Sequence, residues 1–427
     1  MVSSRPITVP ITVRCAETRR LSNLARYGVG VLLFALAVVV PLFRQTGTRS
    51  WHTIWAEDGS IYFEQARQFG VFAVLFRGYA GYLQLPARIL GGFSTLVPVR
   101  QLPLYFAFSA AIVNALLALF VYWASRGWIS SQIARLALAS MLVLLPALGH
   151  ENTATITNTI WTFAAAAPWA LVSRDENPRG IAVRSTVAFF AATATALAVI
   201  YVPVAIGYAL LRRTRATWII ASVFLTGIAI QALTALRTTD HRGSGITRQA
   251  SKLPDYISVR VFAQYALGDR GINAVWDHRT LLAVSAPIVI LAILALLLRG
   301  ADRPHQLLSA TFLALAILTF VVPVWGRGTN AAGFLTPADS FTGLHATNYL
   351  VANRFSVVPV TMLASSIALV LEGPRRHNAL LWSRVCIAVF VTQIALVSLI
   401  GFSVTNPRSA EQEWPEKSRP RLPHTMH

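Results

Sequence analysis

Apolar stretches of about twenty residues recur from Tyr27 to Val404, each long enough to cross a hydrocarbon core of about 30 Å. In lipid, every backbone N–H and C=O must find its partner inside the protein, so such stretches fold as α-helices. The chain is therefore expected to be an all-α polytopic membrane protein with about eleven transmembrane helices. Composition agrees, since 55% of the 427 residues are apolar and 13% are charged, against roughly 25% charged in soluble domains.

Spans are expected at 27–43, 103–124, 131–149, 159–173, 216–236, 281–298, 307–325, 357–371 and 385–404. The run from Ser185 to Leu211 is too long for one ordinary span. It has Arg184 at one end and Arg212, Arg213 and Arg215 at the other, so 185–211 reads as a short helical hairpin. Pro203 supplies its expected break, because the ring removes a backbone bond and the preceding residue is biased out of helical geometry.

The short connections carry Arg126, then Arg174 and Arg179, then Arg299 and Arg303, then Arg375, Arg376 and Arg384, which puts them in the cytosol. The long segments Arg44–Leu102, Arg237–Thr280 and Gly326–Ser356 then fall on the extracytoplasmic side. The basic N-terminus 1–26 precedes its apolar run without a small-residue cleavage site and reads as the cytosolic end of a signal anchor. Residues 27–404 form the transmembrane domain, and 405–427, rich in Pro, Arg and Glu, are expected to be a disordered tail.

A formal net charge of +20 suggests a nucleic-acid partner only if the bases share one soluble face; here the arginines lie in loops and tails, where anionic lipid and orientation explain them. The lysines are Lys252 and Lys417 alone, an Arg bias that fits a GC-rich bacterial genome. Cys15 and Cys386 fall on opposite sides of this topology, which excludes a disulfide or thiolate metal site between them. No expected span carries Asp, Glu, Lys or Arg in its middle, which argues against an ion-coupled transporter or channel.

Carboxylates gather instead in the outer segments: Glu57, Asp58, Glu64, Glu151, Asp240, Asp255, Asp269, Asp277 and Asp339. The sharpest group is Trp55-Ala56-Glu57-Asp58-Gly59, just beyond the first span. Adjacent like charges raise one pKa and suit general-base work, whereas acids at a helix start also serve as simple caps. Two stretches, Ser60–Phe76 and Gly81–Val97, mix aromatic and aliphatic residues with Arg67, Arg77 and Arg88, as interfacial helices do. Between them Gly78, Tyr79, Gly81 and Tyr82 suit a tight turn whose tyrosines stack on a sugar or sit among headgroups.

Farther along, His150, Glu151, Asn158 and Trp161 bring polar groups to the outer end of a span. His150 with Glu151 can bind a metal or orient a substrate hydroxyl, but no H-x-x-x-H, clustered Cys or D-x-D spacing accompanies them, so no cofactor is indicated. Arg354-Phe355 opens the penultimate span where a lipid phosphate would lie; it is a phosphate ligand or an ordinary snorkelling arginine, and Arg88 and Arg327 are weaker versions of the same idea.

With these residues in place, the chain resembles the GT-C superfamily of polytopic membrane glycosyltransferases, in a bacterial, actinobacterial branch. The likeness lies in the long first outer loop with acids just past the first span, the interfacial helices, and the late Arg-aromatic pair; Trp55–Gly59 and Tyr79–Arg88 carry it at the residue level. It covers the architecture from about residue 27 to 404 through few and short residue matches. It implies a polyprenyl-phosphate-linked sugar donor, an envelope glycan or glycolipid acceptor, and an inverting transfer with Asp58 or Glu57 as base and Arg354 on the leaving phosphate. It further implies that Arg88, Tyr82, His150, Glu151, Asn158 and Trp161 line the substrate. The chain departs from the better-known branches in lacking a folded domain after its last span, so acceptor recognition would fall to the outer loops. Two other readings stay open: a glycolipid or polysaccharide translocator, which needs repeats and a polar midplane cavity, and a non-catalytic envelope assembly protein.

Overall fold

The computed structural model describes residues 28–46, 48–55, 57–238, 249–327, 354–371 and 379–405. The basic segment 1–26, Asp240, Asp339, Arg375, Arg376 and the tail beyond 405 lie outside these residues, and the side chains of His150, Glu151 and Arg327 are likewise not described.

The described residues are all-α apart from a parallel pairing of Gln45–Thr46 with Val404–Thr405 and a small hairpin at Tyr79–Tyr82. In order, the longer of the described helices are α1 Gly28–Leu42, α2 Leu85–Ser94, α3 Leu102–Ala124, α4 Gln132–Leu144 and α5 Thr159–Val172. There follow α6 Pro178–Ala194, α7 Val202–Arg212, α8 Arg215–Arg237, α9 Gln264–Ala274, α10 Arg279–Gly300, α11 Arg303–Arg327, α12 Arg354–Val370 and α13 Ala379–Ile400. Among the described residues five helices, those containing α3, α8, α10, α11 and α13, are long and apolar enough to cross a membrane.

Local chemistry sets where the helices begin and end. Ser131, Asn177, Thr214 and Asp302 each accept a backbone N–H three residues on, capping α4, α6, α8 and α11. Two buried arginines close helix C-termini, where free carbonyls and the helix dipole favour a cation. Arg184 donates to Ala170 O at 2.9 Å, Leu171 O at 3.2 Å and Asp175 O at 2.7 Å, beyond α5. Arg44 donates to Leu145 O at 3.3 Å, Gly401 O at 3.3 Å and Phe402 O at 3.1 Å, tying the end of α1 to those of α4 and α13.

These contacts sort the helix ends into two groups. At one, Arg126 pairs with Asp175, Arg212 with Glu176 at 3.6 Å, and His305 meets Trp128 O at 3.1 Å. At the other, Arg44 holds its three carbonyls and Arg270 donates to Ser403 O at 2.9 Å. The arginines of the short connections cluster at the first end, which we call the basic end. The helices α5, throughout, and α12, from Phe355 onward, are buried and form the axis of the bundle. Serine pairs lock α12 to its neighbour in an otherwise apolar layer: Ser309 Oγ donates to Ser366 O and Ser366 Oγ to Ser309 O, both at 2.8 Å.

Three expectations change in detail. The 185–211 run does return to its starting end, as the Arg212–Glu176 pair shows. Its break, however, lies at Thr195, which is fully extended (φ −152°, ψ 144°) and caps Leu197 with its hydroxyl, rather than at Pro203. Pro203 sits in the first turn of α7, where its missing N–H has no helical partner to lose. Second, α2 does not lie open in a headgroup plane: Leu85, Pro86, Ala87, Arg88, Gly91, Gly92 and Ser94 are all buried against protein. The preceding stretch does have exposed aromatics, with Phe69, Phe72 and Phe76 facing outward. Third, much of the expected outer loop 237–280 is helical and inserted: Ser258–Ala263 forms a wide π-turn whose Val259, Arg260, Val261, Phe262 and Ala263 are buried.

Candidate functional site

The site grows from the segment just past α1. Asp58 opens a π-turn, Asp58–Phe63, that runs into a short helix, Glu64–Phe69. Its carboxylate is 1% exposed. Oδ2 accepts the Ile156 amide at 3.0 Å, and Oδ1 accepts the Thr157 amide at 3.0 Å together with the Thr157 hydroxyl. A π-turn widens the helix by one residue per turn and is often found where a side chain must be aimed. Here it turns Asp58 inward while leaving its neighbour Glu57 half-buried at the rim.

Glu57 Oε1 accepts the Tyr79 hydroxyl at 3.5 Å. Tyr79 is delivered by a two-residue turn in which Tyr79 N donates to Tyr82 O at 2.9 Å and Tyr82 N to Tyr79 O at 3.2 Å. Ala80 (φ 53°) and Gly81 (φ 89°) occupy the left-handed region that this hairpin turn requires, which the sequence met with glycine at one of the two places. Beneath the turn Tyr62 is wholly buried and donates to Gln84 Oε1. Burial pushes the Tyr62 phenol well above its ordinary value, Tyr82 adds to the rise, and Arg88 opposes it; the charges of Asp58 and Glu57 act on the same phenol. Four of the residues singled out from sequence, Glu57, Asp58, Tyr82 and Arg88, therefore surround one buried tyrosine.

Arg88 is the unusual member. It is 1% exposed, its guanidinium lies 5.2 Å from the Tyr62 ring centroid, and Nη1 donates to Gln65 Oε1 at 2.6 Å. Its Nε and Nη2 have no partner among the described residues. Burial pulls its pKa below the usual arginine value, with Tyr62 and Tyr79 opposing and Arg77 adding to the fall. A buried cation whose N–H groups are left over is costly unless an anion completes it.

From Asp58 the chain of contacts continues to the bundle axis. The stretch Asn152–Asn158 that Asp58 holds is buried throughout, and Ala154 is held in the left-handed region at φ 62°. Gln45 Nε2 donates to Thr153 O at 3.2 Å, and Asn158 Oδ1 accepts Trp161 Nε1 at 3.3 Å. The Trp161 ring meets Phe355 edge-on at 5.5 Å, and Arg354 stands beside Phe355 with its guanidinium 5.5 Å from that ring. Asn158, Trp161 and Arg354 thus share the Asp58 end of the bundle.

No protein-family model matches this chain, and a search of curated proteins finds no match. Geometry alone carries the functional argument.

Sequence reasoning missed Tyr62, Gln65 and Gln84, whose signal was three hydrogen-bonding side chains in a stretch read as merely interfacial. It also missed Arg260 and Gln264, 1% and 0% exposed, and counted Asp269, likewise 1% exposed, only among the outer carboxylates; Gln264 has neither amide atom partnered among the described residues. A polar residue four after Arg260, across an apolar run, is the helical spacing that marks one face. Among the described residues no three His, Cys, Asp or Glu come together as metal ligands would.

Proposed function

We propose that this chain is a GT-C-like membrane glycosyltransferase that moves a sugar from a polyprenyl-phosphate donor to a cell-envelope acceptor at the extracytoplasmic face. The five long apolar helices, the five shorter ones and α6 supply about eleven passes, with the arginine-rich end in the cytosol. Glu57, Arg88 and the buried 152–158 stretch then lie at the outer rim of the plasma membrane.

The observation that carries this reading is the pairing of two differently held groups around Tyr62: a half-buried carboxylate at Glu57 and a buried guanidinium at Arg88 with unpartnered N–H groups. Glu57 takes the proton of an acceptor hydroxyl as that oxygen bonds to the anomeric carbon, and the carbon–oxygen bond to lipid phosphate breaks with its electron pair on phosphate. Arg88 receives the departing phosphate in a charge-assisted, two-point contact, the kind that guanidinium geometry favours. Asp58 acts as a positioning residue, since its lone pairs are already engaged by the Ile156 and Thr157 donors.

The test is transfer of radiolabelled sugar from polyprenyl-phosphate donors in purified membranes. A positioned base contributes about 10² to 10⁴-fold, so Glu57→Gln is expected to lose at least 10²-fold with membrane abundance unchanged. Transfer at the wild-type rate in Glu57→Gln would remove the proposed chemistry.

A further inference from the structure

A groove of about 550 Å³ lies between the Phe76–Gly78 turn and the outer end of α8. Its polar wall holds two exposed arginines, Arg77 and Arg237, and Ile230, Leu233 and Phe76 make up its apolar wall. Among the described residues no carboxylate lines it and neither arginine has an ion-pair partner. Arg77 is held in place over the Phe69 ring at 4.7 Å.

The vertical order of these groups matters. At 1.5 Å rise per residue, Leu233 and Ile230 lie roughly 6 and 10 Å down the helix from Arg237. Leu233 and Leu236 are 54% and 85% exposed on an apolar helix long enough to span a membrane, so this face looks onto lipid. Paired cations above an apolar track match a phosphate headgroup above its acyl chain.

We propose that this groove binds an anionic phospholipid, with Arg77 and Arg237 on the phosphate and a chain along Leu233 and Ile230. The site is separate from Glu57 and Arg88 and does not depend on the glycosyltransferase reading. The bound lipid braces the turn that presents Tyr79, because Gly78 both lines the groove and precedes that tyrosine. Gly78 sits against α8 so closely that a Cβ there would come within 3.0 Å of Thr234 Cγ2.

The experiment is native mass spectrometry of the full chain released from nanodiscs of phosphatidylglycerol mixed with phosphatidylcholine. Wild type is compared with the Arg77→Gln/Arg237→Gln double variant and with Leu233→Glu, which keeps both arginines but sets an acid four residues before Arg237, where it competes with the phosphate. Selective retention of phosphatidylglycerol by wild type, reduced about tenfold or more in both variants, is the expected result. Equal retention of phosphatidylcholine, or retention unchanged in the variants, overturns the proposal. A parallel arm offers polyprenyl phosphate and inorganic phosphate. Capture of polyprenyl phosphate in place of phosphatidylglycerol overturns the phospholipid assignment and gives the groove to the transfer substrate, and capture of inorganic phosphate alone shows a headgroup site with no lipid track and overturns it too.

Discussion

Asp58 Oδ1 accepts the Thr157 backbone amide at 3.0 Å across 99 residues of sequence. With the Ile156 amide and the Thr157 hydroxyl on the same carboxylate, the segment just past α1 is pinned to the stretch that leads into α5. A non-helical stretch buried at that depth is tolerable only where its backbone groups are satisfied by protein. Asp58 supplies that satisfaction for two amides.

The first prediction follows from that role. Asp58→Asn presents an N–H₂ group where donors already converge, and a buried donor left unmet costs about 1–3 kcal/mol. The variant is expected to melt at lower temperature in detergent and to become sensitive to protease between Asn152 and Asn158. Glu57→Gln, which removes no such contact, should melt as wild type does. Equal melting of all three proteins would show that Asp58 is not a tether.

Arg88 yields a prediction of opposite sign for stability and activity. Replacing a buried, incompletely partnered charge by an apolar side chain of similar size is often neutral or stabilising. Arg88→Met is therefore expected to melt at or above the wild-type temperature. Removing one donor to developing negative charge costs about 10² to 10³-fold in rate, so sugar transfer should fall by that order. A destabilised Arg88→Met with normal transfer would mark Arg88 as structural.

The third prediction concerns the seat of α2 on the π-turn. A Cβ at Gly91 would stand 2.5 Å from Tyr62 Cβ and 3.0 Å from Tyr62 O, backbone and near-backbone atoms that cannot rotate away. Overpacking of this kind costs about 1–3 kcal/mol. Gly91→Ala is expected to lower the melting temperature, whereas Gly207→Ala, with open space around its Cβ, should not. Identical melting of the two variants would mean that α2 is not held against Tyr62.

How much of this was legible beforehand depends on which physical effect left a mark in composition. Apolar runs of spanning length and the arginines between them gave the helices and the common end of Arg126, Arg174 and Arg212, because desolvation and charge act on each segment separately. The neighbourhood of Glu57 and Asp58 was visible as a pair of acids beyond α1. Their division of labour was not, since it arises from a π-turn, and a one-residue change of helical phase has no composition of its own. The burial of Arg88 was hidden for a similar reason: on its own sequence α2 is amphipathic enough for a membrane surface, and its packing against Tyr62 and against α3, α5 and α6 draws it under cover. Thr195 was overlooked beside Pro203 because proline breaks helix interiors but is welcome in a first turn.

The last prediction uses the pH dependence of Tyr62. Its phenol is held protonated by burial and donates to Gln84, so its folded value lies well above the ordinary tyrosine value near 10. In the unfolded chain the same phenol ionises near pH 10, so above that pH the unfolded state binds fewer protons than the folded one. The stabilisation is then fully present below pH 10 and declines as pH rises toward the folded value, by up to about 1.4 kcal/mol per unit. Tyr62→Phe lacks this titration and also leaves Gln84 without its donor, a loss of about 1 kcal/mol at neutral pH. The variant is therefore expected to melt below wild type at about pH 8, and the gap should close or reverse by about pH 11. Thermal unfolding of both proteins in one detergent across that range reads the difference directly, and a gap constant with pH would show that the Tyr62 hydroxyl is open to solvent instead of buried beneath the Tyr79 turn.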